Sequence, residues 1–298
     1  MSVTEHPPAS RRSAGDDPGV ATRTADEPAA RRHASQTRAT PGAKRSPWWV
    51  ELLAIAWLAV IYDRLTAAAP VRLQEAIAHG QGILSLEQRL HLDPERTLNH
   101  WLANHHTLGV LLSYYYDNAH FIVTLGLLAY IWWARADIYR PLRNSLVLIN
   151  VIGFAVFWLY PVAPPRLLPG TGFIDIVANS HTFGSWHTGT LASTADQLAA
   201  MPSLHLAWAC WSSLVVWRIS VRWWVRALAV AYPLVTAVAV MTTGNHYLPD
   251  VLAWMLTTAL SVLIIEVVAP RAWRLLRSAL GRDGGDPSSE PDARPMGS

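Results

Sequence analysis

The sequence predicts an all-α membrane domain: a six-transmembrane-helix bundle with short amphipathic helices on its outer face and disordered termini. Three observations carry this. Hydrophobic residues make up 51% of the chain and charged residues only 15%, where a soluble domain carries nearer about a quarter charged. Several apolar runs approach the roughly 20 residues needed to cross a bilayer. Tryptophans number 15, and pairs such as Trp48-Trp49, Trp132-Trp133 and Trp223-Trp224 fit the aromatic belts of membrane–water boundaries.

Residues 1–46 are rich in Ala, Arg, Ser, Thr and Pro and contain no apolar stretch. Such a composition buries too little surface to offset chain entropy, so the segment is expected to be disordered. It also lacks the short apolar core and cleavage site of a secretory signal. Residues 279–298 read the same way, which leaves one membrane domain over 47–278. Spans are expected at 48–68, 108–133, 144–161, 203–219, 223–242 and 248–269. The first of these carries Glu51 and Asp63-Arg64 near its ends.

Of the 24 Lys and Arg residues, 19 fall in the N-terminal tail, at Arg135, Arg140 and Arg143, at Arg218, Arg222 and Arg226, and in the C-terminal segment from Arg271 onward. The other face collects 5: Arg64, Arg72, Arg89, Arg96 and Arg166. The positive-inside rule then places both termini in the cytoplasm. The net charge of +3 does not point to nucleic acid, because the basic residues belong to tails and inter-span loops.

Residues 72–106 join the first two spans on the outer side. Ser85-Leu-Glu-Gln88 resembles a capping box, and Asp93-Pro94 suits a helix start. With Ile83, Leu86 and Leu90 on one face and Leu98, Trp101 and Leu102 on another, two short amphipathic helices are expected on the outer surface. The second outer connection, 162–202, is rich in Gly, Ser and Thr.

Three polar clusters interrupt the apolar pattern, and the topology puts all three on the outer face. YPVAPPRLLPG (160–170) carries Arg166, MPSLHLAWA (201–209) carries Ser203 and His205, and TGNHYLPD (243–250) carries His246 and Asp250. The histidines are 41 residues apart, about two crossings, so they return to the same side. Arg166 offers planar, permanent donors for a phosphate, and Ser203 sits where a helix N-terminus favours an anion. His246 suits a nucleophile, with Asp250 holding its other ring nitrogen. His205 suits a general acid and base.

PSLH followed some forty residues on by HxxxD resembles the type 2 phosphatidic acid phosphatase superfamily. The combination of YPVAPPR, MPSLHLAWA and GNHYLPD is similar to its inositol phosphorylceramide synthase-like (inositolphosphotransferase) branch. The resemblance covers about residues 80–265. It implies a six-helix bundle and a metal-independent reaction through a phosphohistidine. His246 would be the nucleophile, Asp250 its partner and His205 the acid/base, with Ser203 and Arg166 as phosphate ligands. The substrate would be a lipid phosphate in a plasma membrane, and the acceptor a polar alcohol such as inositol, or water. The sequence departs from the family pattern at three cationic or proline positions. Leu159 and Leu167 stand where the first motif has a lysine and a proline, and Val240 stands where the third has an arginine. The missing third-motif arginine is shared with the synthase-like branch and favours transfer over hydrolysis.

Other readings are plainer. Asp250 also suits a simple helix cap behind Pro249, and Arg166 a headgroup anchor. Asp117 and His120, in YYYDNAH (114–120), would line a headgroup pocket together with Asn245, or simply bond between helices. His181 and His187 suit solvated loop residues, and Cys210 a small packed side chain. A proton-relaying transporter would call for inverted repeats and broken helices, which are not evident. A zinc hydrolase would call for a motif such as HExxH, which is missing. The chemistry calls for no cofactor and no metal.

Overall fold

A computed structural model describes residues 47–68, 72–180 and 204–279, and every element among them is helical. In chain order these are α1 (Trp48–Ala68), α2 (Leu73–Leu90), α3 (Pro94–Ala103), α4 (His106–Ala134) and α5 (Ala136–Leu159). A 3-10 turn (Pro165–Leu167) and a single helical turn, α6 (Ile176–Asn179), follow. The chain continues through α7 (Leu204–Ile219), α8 (Trp223–Thr242), α9 (Leu248–Leu263), a π segment (Ile264–Val268) and α10 (Ala269–Ala279). The tails expected to be disordered lie outside the described residues, as do Ser203, His181 and His187.

Among the described residues, three helices are long and apolar enough to cross a membrane: Ala136–Leu159, Trp223–Thr242 and the run Leu248–Ser278. A shorter apolar stretch lies at Trp48–Trp57. The helix bounds differ from the expected spans chiefly at charged ends. α5 begins at Ala136 rather than 144, because Arg135 pairs with Asp137 and Arg143 reaches Glu51 of α1 at 2.9 Å. Its charges are thus satisfied inside a helix. Pro141 sits in the second turn and removes one backbone donor. The last helix does not stop at 269 but runs on through the π segment, where Arg218 of α7 grips Glu266 with both guanidinium nitrogens.

The main core joins α4, α5, α7, α8 and α9 around Ile131, Leu142, Ile149, Leu206, Trp211 and Val240. Trp211 is fully buried, and its Nε1–H donates to the Leu142 carbonyl at 2.9 Å. Small polar bonds cross between helices, as from Tyr115 to Thr236 (2.6 Å) and from Thr124 to Ser212 (3.2 Å). Each such bond in an apolar setting contributes about 0.6–2 kcal/mol.

A second, smaller core brings the outer helix α2 onto the loop after α5 and the start of α9. Its members are Ala76, Leu84, Val162, Ala163, Leu168 and Tyr247. Here the structure corrects two expectations. Ser85–Gln88 is no helix start, since α2 runs through it from Leu73 and ends at His91, whose φ is +54°. The inward stripe of α2 is Ala76, Gly80, Leu84 and Glu87, whereas Leu86 and Leu90 are exposed. On α3 the inward residues are Glu95, Asn99 and Leu102, with Trp101 exposed. Each of the two helices thus buries a glutamate among its apolar inward residues and leaves large apolar side chains, Leu86, Leu90 and Trp101, on its outward face.

Candidate active site

The end of α5, the start of α7 and the α8–α9 turn all lie at one end of the bundle. The turns at Arg135 and at 220–222 lie at the other. At the first end, α8 stops at Thr242 and the chain reverses through Thr243, Gly244, Asn245 and His246 before α9 begins. Gly244 makes the reversal with φ +73°, where a side chain would be strained. A Cβ there would also meet Asn99 Nδ2 at 3.2 Å and the Ile174 carbonyl at 3.4 Å. Asn99 clamps the surroundings, donating to the Thr242 and Ile174 carbonyls and accepting from the Ile174 N–H.

Arg166 enters through the same glycine. Its backbone N–H donates to the Gly244 carbonyl at 3.0 Å, which places the 3-10 turn two residues from His246. Its side chain is largely buried, and Nε donates to Asp175 Oδ2 at 3.0 Å. The other Asp175 oxygen caps α6 by accepting the Ala178 N–H. Asp175 therefore fixes the guanidinium against the helix it starts. Sequence reading missed this residue; its one signal is an aspartate placed just before a short helix-forming run.

His246 and Asp250 are both buried, at 3% and 0% exposure. Nδ1 of the imidazole lies 3.4 Å from Asp250 Oδ2, long for a hydrogen bond but within ion-pair reach. The same oxygen accepts the Tyr247 N–H at 3.3 Å, so Asp250 also closes the first turn of α9. The Tyr247 hydroxyl, in turn, donates to the Ala163 carbonyl at 2.7 Å, joining this turn to the loop that carries Arg166.

His205 is the second residue of α7. Its ring stands 6.4 Å from that of His246, centre to centre and tilted by 56°. On its other side it stacks on Tyr116 of α4 at 4.3 Å and leans on His120 at 4.0 Å. Asp117 and His120 lie on the buried stripe of α4, and His120 Nδ1 faces the Tyr116 carbonyl at 3.1 Å. A cavity between α4, α7 and α8 is lined by Tyr115, Tyr116, His120, His205, Tyr232 and Thr236. The Asn245 amide donates to Thr243 within the reversal itself.

The structure thus brings Arg166, His205, His246 and Asp250 to one end of the bundle and sets Asp117 and His120 behind His205. A carboxylate-backed imidazole facing a second imidazole, beside a guanidinium, can attack, protonate and hold a phosphoryl group. Leu159 is exposed on the outside of α5, whereas Val240 is buried against the cavity. Among described residues, no cluster of three His, Cys, Asp or Glu side chains has metal-site geometry. A family model for the PAP2 superfamily matches residues 81–264, more than half of the chain. Neither the curated proteins nor the solved structures return a match.

Proposed function

Because the chain belongs to the PAP2 superfamily, whose members are generally lipid phosphatases or phosphotransferases, we propose that it transfers a phospho-headgroup from a lipid to an alcohol through a histidine-bound intermediate. The observation that carries this reading is the buried His246–Asp250 pair, with His205 facing it and Arg166 anchored to Gly244, two residues before His246. His246 attacks phosphorus while His205 protonates the departing lipid oxygen. The positive imidazole of the phosphorylated His246 is then held by Asp250. In the second half, His205 removes the proton of the incoming hydroxyl, which attacks phosphorus and releases His246.

A diester substrate is favoured over a monoester by charge. A phosphomonoester carries close to two negative charges at neutral pH, and a phosphodiester only one. The positions of the two further family cations hold Leu159 and Val240, which leaves Arg166 to match a single charge. An inositol-bearing diester, or an inositol-like acceptor, fits this economy of charge. The full reading has six spans, both termini on the cytoplasmic face and the site on the opposite face, as the Lys and Arg distribution supports.

The test is product analysis in intact spheroplasts supplied with phosphatidylinositol, a lipid alcohol and EDTA, wild type beside His246→Ala. A new phospho-headgroup lipid, made only by the wild type and without prior lysis, is the expected result. Free inositol phosphate alone would assign water as acceptor. Activity appearing only after lysis would put the site on the cytoplasmic face.

A further inference from the structure

The two outer helices bury carboxylates where soluble amphipathic helices bury leucine. Glu87 of α2 is 2% exposed and Glu95 of α3 is 0% exposed. Glu87 Oε1 accepts the Leu248 N–H at 2.9 Å, and Leu248 is the first residue of α9. Glu87 Oε2 and both oxygens of Glu95 are buried and receive no donor among the described residues, and the two carboxyls are near enough for each to act on the other. Among the described residues, the charged and titratable groups that act on them are Asp93 at the start of α3, and Tyr247 and Asp250 at the start of α9. All are acids. Two carboxylates in such a place cannot both ionise without a large desolvation and repulsion penalty. A single proton between them removes one charge and supplies the missing donor.

We propose that Glu87 and Glu95 share one proton and act as positioning residues, holding the first turn of α9 through the Leu248 N–H and thereby fixing His246 and Asp250. Glu87 takes the Leu248 N–H and Asp250 takes the Tyr247 N–H one residue before it, so the turn is held from outside by a carboxyl and from inside by a carboxylate. Burial, then the contact with Glu95, pushes the Glu87 carboxyl up to about 9, and burial raises Glu95 as well. Loss of the shared proton to solvent would leave two adjacent carboxylates beside Asp250, and their repulsion would part α2 and α3 from α9. The sign is definite. A carboxyl whose folded pKa is raised favours the folded state below its ordinary value of 4.5, and this contribution is lost as pH rises toward about 9.

Only the kinetic part of the test rests on the proposed phosphotransfer. Infrared difference spectra of the purified protein, wild type minus Glu95→Gln, are expected to show a neutral-carboxyl C=O band at pH 7 that vanishes as pH passes about 9. Amide hydrogen exchange over residues 243–252, corrected for intrinsic rates, should lose protection over the same range in the wild type. Glu95→Gln, whose amide donates to Glu87 permanently, should keep protection through that range, while Glu95→Ala should lose it at neutral pH. With bis(p-nitrophenyl) phosphate as probe, Glu95→Gln should lie within about threefold of wild-type kcat and lack the alkaline fall, and Glu87→Ala should lose about tenfold or more in kcat with KM little changed. Absence of the neutral-carboxyl band at pH 7, or Glu95→Gln as unprotected as Glu95→Ala, would overturn the proposal. If no protein turns over the diester, the band and the exchange still decide it, and the failure belongs to the phosphotransfer reading.

Discussion

At Asp250, a helix cap and a histidine partner turn out to be one oxygen. Oδ2 lies 3.4 Å from His246 Nδ1 and 3.3 Å from the Tyr247 N–H, so the first turn of α9 sets the tilt of the imidazole. Arg166 is fixed in a comparable way, by backbone to Gly244 and by Nε to Asp175. A lysine there cannot grip Asp175 and also face a phosphate with a planar edge. Arg166→Lys is therefore expected to lower kcat/KM by roughly 10- to 100-fold, measured by steady-state kinetics on phosphatidylinositol in mixed micelles. A variant within twofold of the wild type would remove Arg166 from the phosphate site. The histidines, Arg166 and Asp250 were legible as residues because polar groups interrupting apolar runs stand out. Asp175, Glu87 and Glu95 were not. Their partners lie 9, 161 and 8 residues away, and an apolar-inward reading of the outer helices turns both glutamates toward solvent.

Among the elements, α2 is the one whose packing the pattern misplaces. Its Gly80 and Gly82 look alike in sequence, yet they are opposites in space. A Cβ on Gly80 would fall 2.7 Å from both the Ala163 carbonyl and the Tyr247 hydroxyl, while one on Gly82 would meet nothing within 4 Å. Alanine ordinarily stabilises a helix over glycine by about 0.5–1 kcal/mol. Gly82→Ala should therefore raise the thermal midpoint in detergent, whereas Gly80→Ala should lower it, by the equivalent of about 1–3 kcal/mol. Equal shifts of the same sign would mean that α2 does not press on the Ala163–Tyr247 contact. Helix ends were legible where apolar runs met turns, as at Trp223–Thr242. They were not legible where charges are paired inside a helix, as at Arg143 with Glu51 and Arg218 with Glu266.

For the whole molecule, the helix order carries the loop with Arg166, the start of α7 and the α8–α9 turn to one end, and the short basic turns to the other. That division was legible from spacing alone, because two successive helices, α7 and α8, separate His205 from His246. What spacing could not supply is the seating of α2 and α3 over the start of α9, which depends on buried hydrogen bonds rather than on hydropathy. Passage of phosphorus through His246 is tested most directly with bis(p-nitrophenyl) phosphate. Its phenolate leaves without an acid, so His205→Ala should still complete the first half-reaction. The second half, which needs a base, should slow by about 10²–10⁴-fold. The expected result is a burst of one nitrophenolate per protein, with the remaining phospho-nitrophenyl group found on His246 by mass spectrometry of the quenched protein. Full turnover by His246→Ala, or a modified residue other than His246, would contradict it.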